Sequence, residues 1–138
     1  MTYLVERLAE LRKHLDHLRG LEPRVEEPES LRRDLSLHND VMFSLLTVAQ
    51  LVIDISGELG ARRGQRFEDY TEAVRSLSAY EEFPPELVSR LARLPGFRNV
   101  LIHEYVALDY EQVVRAIRDL EPVAEFLRRA AALEKEER

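Results

Sequence analysis

The chain contains no cysteine, which excludes a disulfide framework, an iron–sulfur cluster and a thiol nucleophile. Histidine is scarce too. His14 and His17 lie close together, but His38 and His103 stand apart and no nearby segment supplies the further ligands of a metal site. Neither a metal nor any other cofactor is therefore expected. Long hydrophobic runs are also missing. The most apolar stretch, Val41 to Ile55, is interrupted by Ser44, Thr47, Gln50 and Asp54, too short and too polar to span a bilayer. Residues Met1 to Arg12 have a charged amphipathic pattern instead of a basic segment followed by an apolar run and a cleavage site. No membrane association is expected, and the cytoplasm is the expected compartment. Basic charge is in deficit: the formal net charge of −6 argues against general wrapping of nucleic acid, and no DNA binding is expected. The deficit is uneven, because residues 61 to 98 carry seven arginines against six acids. A local phosphate-binding surface is compatible with that distribution, although no strongly basic face is visible.

What is present fits one folded unit. With 138 residues, 45% of them apolar and 33% charged, the chain suits a single domain over residues 1–138 with a limited core. Convincing strand alternation, repeats and low-complexity blocks are absent. Leu4, Leu8, Leu11, Leu15 and Leu18 recur at spacings of four and three, one apolar stripe of a first helix that Gly20 ends. Pro23 and Pro28 mark a loop, and Ser30 or a neighbour caps a second helix. That helix is expected from about Leu31 to Leu59, stopping before Gly60 and Gly64. It is apolar nearly all round, except for a narrow stripe through Asp40, Thr47, Gln50 and Asp54. A small chain has few helices with which to surround it, so burial in a dimer interface is expected.

A third helix is expected from about Phe67 to Leu77 and a short one from Glu86 to Leu94, admitted by Pro85. Pro95 and Gly96 mark a further break, and a fourth main helix runs from Phe97 to about Tyr105. Asp109 with Gln112 has the form of a capping box opening a last helix, Tyr110 to about Leu133, kinked at Pro122. The fold class expected is all-α: an up-and-down bundle of four to five helices around a long central one.

The segment Arg98 to Tyr105 concentrates the chemistry. On a helix, Asn99 and His103 are four apart and stack about 6 Å from each other, with Arg98 about 100° round from Asn99. An imidazole takes and returns a proton near neutrality, and a guanidinium offers a planar fork to a phosphate or to the charge developing on phosphorus. Cleavage of RNA by its own 2′-hydroxyl needs those two services. On chemistry alone, however, an Arg and a His so spaced more often form an ion pair and a half-buried hydrogen bond. Likewise Tyr105, on the apolar side of a continuous helix, reads as a core aromatic.

Read in order, Arg98-Asn99-Val100-Leu101-Ile102-His103-Glu104-Tyr105 resembles the Arg-x4-6-His motif of the HEPN superfamily, in the Arg-Asn-x3-His-x-Tyr form of HepT-like toxins. The resemblance implies a HEPN-like fold and a homodimer whose two motifs face each other across a cleft. It implies metal-independent endoribonuclease activity on RNA, with Arg98, His103 and Asn99 as catalytic residues. It also implies a partner, the minimal nucleotidyltransferase antitoxin MntA, which silences such toxins by transferring AMP to the tyrosine matched by Tyr105. Asp54 is a candidate second-shell partner of His103 or Arg98, or else a helix-surface carboxylate. The alternative is a non-catalytic HEPN-like dimer that binds a nucleotidyltransferase or a nucleotide. His14, His17 and His38 are read as structural.

Overall fold

The leucine stripe of the first helix is fully used: Leu4, Leu8, Leu11, Leu15 and Leu18 are all buried. In this computed structural model, which describes residues 2–137, that helix, α1, spans Thr2–Leu21. It passes through Gly20 into a 3-10 turn, Glu22–Arg24, that holds Pro23. α2 (Pro28–Arg33) starts at Pro28, whose ring already has the φ of a first helical residue, so Ser30 lies inside it and caps nothing.

The long helix expected from Leu31 to Leu59 is two helices. Asp34 adopts an extended conformation (φ −126°, ψ 98°), and its carboxylate accepts from the Leu37 amide at 3.1 Å, starting α3 (Leu35–Arg62). Side-chain capping of a free amide outcompetes continuation of the helix at this aspartate. At its other end α3 runs through Gly60 and stops before Gly64, whose φ of 75° ends the helix. By length and composition α3 is apolar enough to cross a membrane, beyond what the stretch Val41 to Ile55 suggested, but half of its most apolar window is buried inside the bundle. Packing against α1, α4 and α6 accounts for that composition.

The remaining boundaries move for local reasons. α4 (Tyr70–Arg75) is shorter than the span Phe67 to Leu77, because the Asp69 carboxylate accepts from the Glu72 amide at 2.8 Å and sets the start. A 3-10 turn, Ser76–Ala79, finishes the segment. α5 covers Pro85–Leu91. α6 spans Leu94–His103 and takes Pro95 and Gly96 into its first turn, so the break falls earlier, at Ala92 and Arg93. After a 3-10 turn, Tyr105–Ala107, the last expected helix is again two, α7 (Tyr110–Arg118), begun by Asp109, and α8 (Glu121–Glu137). Pro122 is a first-turn residue of α8, where its missing N–H costs nothing.

All regular structure among the described residues is helical, in a bundle around the long α3. α3 gives the core more residues than any other helix: Leu37, Val41, Leu45, Val48, Val52, Ile53, Ile55 and Leu59 are buried. α1 and α6 flank it, α1 also meets α8, α2 meets α7, and α5 meets α8. The chain thus covers most of the helix that looked impossible to surround. What stays open is Leu35, Asn39 and Phe43, at spacings of four, continued at spacings of three and four by the half-buried Leu46, Gln50 and Asp54. Along this stripe Leu35 is 71% and Phe43 62% exposed.

Candidate functional site

α6 is placed by its apolar side. Pro95 and Leu101 are buried and Phe97 packs on the core, which turns Arg98 toward α3. There Arg98 Nε donates to Gln50 Oε1 at 2.7 Å, and Gln50 Nε2 donates to Asp54 Oδ1 at 2.9 Å. Asp54 therefore reaches Arg98 through Gln50, one helical turn along α3. No hydrogen bond or ion pair joins it to His103 among the described residues. A neutral amide between carboxylate and guanidinium holds the arginine in place without neutralising it.

The second anchor of Arg98 is its own neighbour. Nη1 donates to Asn99 Oδ1 at 3.1 Å, which leaves the Asn99 Nδ2 protons directed elsewhere. The Arg98 guanidinium carbon also lies 5.2 Å from the centre of the Tyr70 ring at the start of α4, within cation–π range. Nη2 is the part of the fork with no partner among the described residues.

His103 is the last residue of α6 and is exposed. Among the described residues its imidazole has no hydrogen-bond partner. Asn99 stands one turn before it on the same helix, also exposed. The helix stops at once after His103: Glu104 turns to φ −118°, ψ 28°. Tyr105 consequently does not continue round the helix toward the core. It sits on the following 3-10 turn, 67% exposed, next to Val106 at 88%. The expectation of a core aromatic rested on an unbroken helix and is corrected.

Three contributors escaped the sequence reading. In the sequence Gln50 reads only as a polar interruption, and nothing singles out Tyr70. The third is a set of arginines. A groove of about 1010 Å3 between α5, α6, α7 and α8 has a mainly aliphatic floor, with Phe97 and Val100 on the α6 side. Arg90, Arg93, Arg115 and Arg118 stand on it, against the single acid Asp119. A local basic face therefore exists, assembled from segments 25 or so residues apart. Two other histidines join α1 to α3, His17 meeting Asp40 at 2.8 Å and His14 meeting Ser44 at 3.0 Å, and His38 packs edge-on against the Tyr110 ring of α7 with centroids 5.5 Å apart. Among the described residues no three His, Asp or Glu side chains converge as a metal site.

Comparisons with known proteins bear on the family and the fold. Residues 6–130 match the family described as Ribonuclease HepT-like. The tRNA nuclease HepT of Aphanizomenon flos-aquae is 31% identical over 113 residues, which is 80% of this chain and 75% of that protein. The fold superposes with a TM-score of 0.80 on the tri-AMPylated Shewanella oneidensis HEPN toxin in complex with an MNT antitoxin, at 18% identity over 94% of this chain and 96% of that one. A toxin–antitoxin crystal structure with AMP-PNP gives a TM-score of 0.78, at 16% identity over 92% and 96% of the two chains. At such identities the structural likeness bears on fold alone, whereas the family match covers nearly the whole sequence. The chain belongs to the HepT-like family of HEPN toxin–antitoxin proteins.

Proposed function

We propose that this protein is a cytoplasmic toxin ribonuclease that cleaves RNA without a metal ion, and that a nucleotidyltransferase antitoxin silences it by transferring AMP to Tyr105. The observation that carries the reading is the state of the two key side chains on α6. Arg98 is fixed by Gln50 with part of its fork open, and His103, five residues on, is exposed and unpartnered.

In this reading the Arg98 guanidinium binds a non-bridging phosphate oxygen and stabilises the charge that grows on it in the transition state. The 2′-oxygen attacks phosphorus, the bond to the 5′-oxygen breaks, and a cyclic phosphate and a 5′-hydroxyl result. One proton leaves the 2′-hydroxyl and one is delivered to the 5′-oxygen. His103 performs one of these transfers. The Asn99 Nδ2 donor, set by the bond from Arg98 to its oxygen, orients the phosphate.

A homodimer supplies the second transfer group. The open stripe on α3, with Leu35 and Phe43 at one end, leads directly to Gln50 and Asp54 behind Arg98. Covering that stripe with a second copy buries the exposed side chains and brings two Arg98 sites together, as an isologous interface does. The arginines of the α5–α8 groove give the RNA backbone a positive surface despite the negative net charge. Exposure of Tyr105 suits the transferase: its phenol oxygen attacks the α-phosphorus of ATP, pyrophosphate leaves, and the phenol proton is lost. The adduct places a phosphodiester two residues from His103, where it excludes the substrate phosphate.

The test is cleavage of RNA by purified protein in EDTA, beside Arg98→Ala and His103→Ala. Loss of cleavage in both variants with an unchanged circular dichroism spectrum is expected. A wild type no more active than either variant overturns the catalytic reading. Incubation with the antitoxin and ATP is expected to add AMP mass to wild type and not to Tyr105→Phe, and an equal adduct on both removes Tyr105 as the principal acceptor.

A further inference from the structure

On the flank of α6 that carries Asn99, an open recess of about 470 Å3 is enclosed by six residues: Asp69, Tyr70 and Thr71 at the start of α4, and Pro95, Gly96 and Asn99 on α6. Its size falls in the range of small-ligand sites, about 300–1,000 Å3. The wall is a phenol ring. Tyr70 is 45% exposed and stays outside the apolar core, so packing does not account for an aromatic there. The floor is open at Gly96, where a Cβ would meet nothing within 4 Å.

The polar groups stand at the edge. Asn99 Oδ1 is taken by Arg98, so its Nδ2 remains to donate. The Thr71 hydroxyl has no partner among the described residues, and Asp69 uses only Oδ1 for the Glu72 amide. A flat aromatic wall, an uncluttered floor and donors and acceptors along one rim suit a planar ligand with hydrogen-bonding edges. The Arg98 guanidinium beside the same ring fixes where a phosphate attached to that ligand would lie.

We propose that this recess holds the base of the nucleotide next to the scissile phosphate, stacked on Tyr70 and contacted at its edge by Asn99 and Thr71. The inference rests on the ribonuclease reading and deepens it: Tyr70 governs which phosphate of a strand is presented to Arg98 and His103. Stacking tolerates every base because each has a π-face, and the rim groups add the preference.

Two RNA oligonucleotides test it, identical except that one carries an abasic ribose next to the cleaved phosphate. On the intact strand, Tyr70→Ala is expected to lower kcat/KM roughly 5- to 100-fold, the range of single stacked bases, and Tyr70→Phe to keep most of the activity. On the abasic strand wild type and Tyr70→Ala are expected to cleave alike. A Tyr70→Ala protein as active as wild type on the intact strand, or equally impaired on both strands, overturns the proposal. Anisotropy of the labelled strands on His103→Ala and on His103→Ala with Tyr70→Ala answers for the recess separately. If wild type leaves RNA whole, the ribonuclease reading fails, and the recess stands only if the intact strand binds more weakly once Tyr70 is removed.

Discussion

Replacing Gln50 by leucine isolates the support of Arg98 from its chemistry. The change keeps a similar bulk and adds no charge, while removing the 2.7 Å acceptor of Arg98 Nε and the 2.9 Å donor to Asp54. Arg98 then keeps the bond to Asn99 at 3.1 Å and the Tyr70 ring 5.2 Å away. A hydrogen bond to a charged group contributes about 1.5–3 kcal/mol net. Arg98 and Gln50 are half-buried and water replaces part of what is lost, so the lower end applies. About 1.5 kcal/mol, if all of it was used to aim the fork at a phosphate, is roughly a tenfold fall in kcat/KM. Stability changes by less than about 1 kcal/mol, because water reaches both Asp54 and the arginine. Asp54 touches Arg98 only through Gln50, so Asp54→Asn should weaken cleavage in the wild type and add nothing in the Gln50→Leu background. Steady-state cleavage of one RNA by the four proteins, with thermal melts alongside, measures the cycle. Cleavage by Gln50→Leu within twofold of wild type refutes the argument, and so does a full Asp54→Asn effect in its absence.

Three further outcomes are expected. Gly60→Ala should destabilise although alanine is the better helix former by about 1 kcal/mol, because its Cβ would stand 2.0 Å from Ser76 Oγ and 2.7 Å from Ser76 Cβ. Overpacking of about 1–3 kcal/mol predicts a net loss and a Tm lower by roughly 3–6 °C, recovered in part by Ser76→Gly, whereas Gly20→Ala, with nothing within 4 Å, should raise Tm slightly. Tyr80 donates its hydroxyl to the Leu59 carbonyl at 2.6 Å, and burial first, then nearby Glu137, pushes its pKa above the ordinary value of 10. Its contribution to stability is complete below about pH 10 and lost as the pH rises through the raised folded value, since only the unfolded chain ionises first; urea melts across that window should lose this decline in Tyr80→Phe. Charge reversal at Arg93 and Arg115 should weaken RNA binding and flatten its salt dependence by roughly one to two ions, while leaving the melt unchanged; an unaltered salt slope places RNA elsewhere.

The helical class and the α1 stripe were legible because both depend on residues three and four apart. Boundaries were less so, since single aspartates decide them. Asp34 splits one expected helix and Asp69 shortens another by offering a carboxylate to a free amide, and neither bond leaves a periodic trace. The motif on α6 was visible as a string, yet its working parts are not local. Gln50 and Arg98 are 48 residues apart, and the basic groove joins Arg90 and Arg93 to Arg115 and Arg118. Counting charges along the chain averages that face away. The burial argument for α3 was too large in extent. It treated every apolar residue as uncovered, whereas α1, α4 and α6 cover all but the stripe through Leu35 and Phe43.

In the proposed mechanism, the end of α6 decides how modification of Tyr105 reaches the site. On a continuous helix, position 105 lies about 200° round from position 103, and an adduct on Tyr105 would project away from an imidazole at His103. Termination at Glu104 removes that constraint: the Glu104 amide closes the last turn on the Val100 carbonyl at 3.0 Å, and the Ala107 amide then bonds back to the Glu104 carbonyl at 3.1 Å. The chain reverses into a short 3-10 turn with Tyr105 and Val106 both in solvent. Restoring the helix should therefore disconnect the two functions in the proposed mechanism. Glu104→Ala with Val106→Ala raises helical propensity through the turn and touches neither Arg98 nor His103. The expected protein cleaves RNA but accepts less AMP, and what it accepts inhibits it less. Full silencing by the transferase, in a variant whose added helicity is seen by circular dichroism, would mean that the break at Glu104 has no part in control.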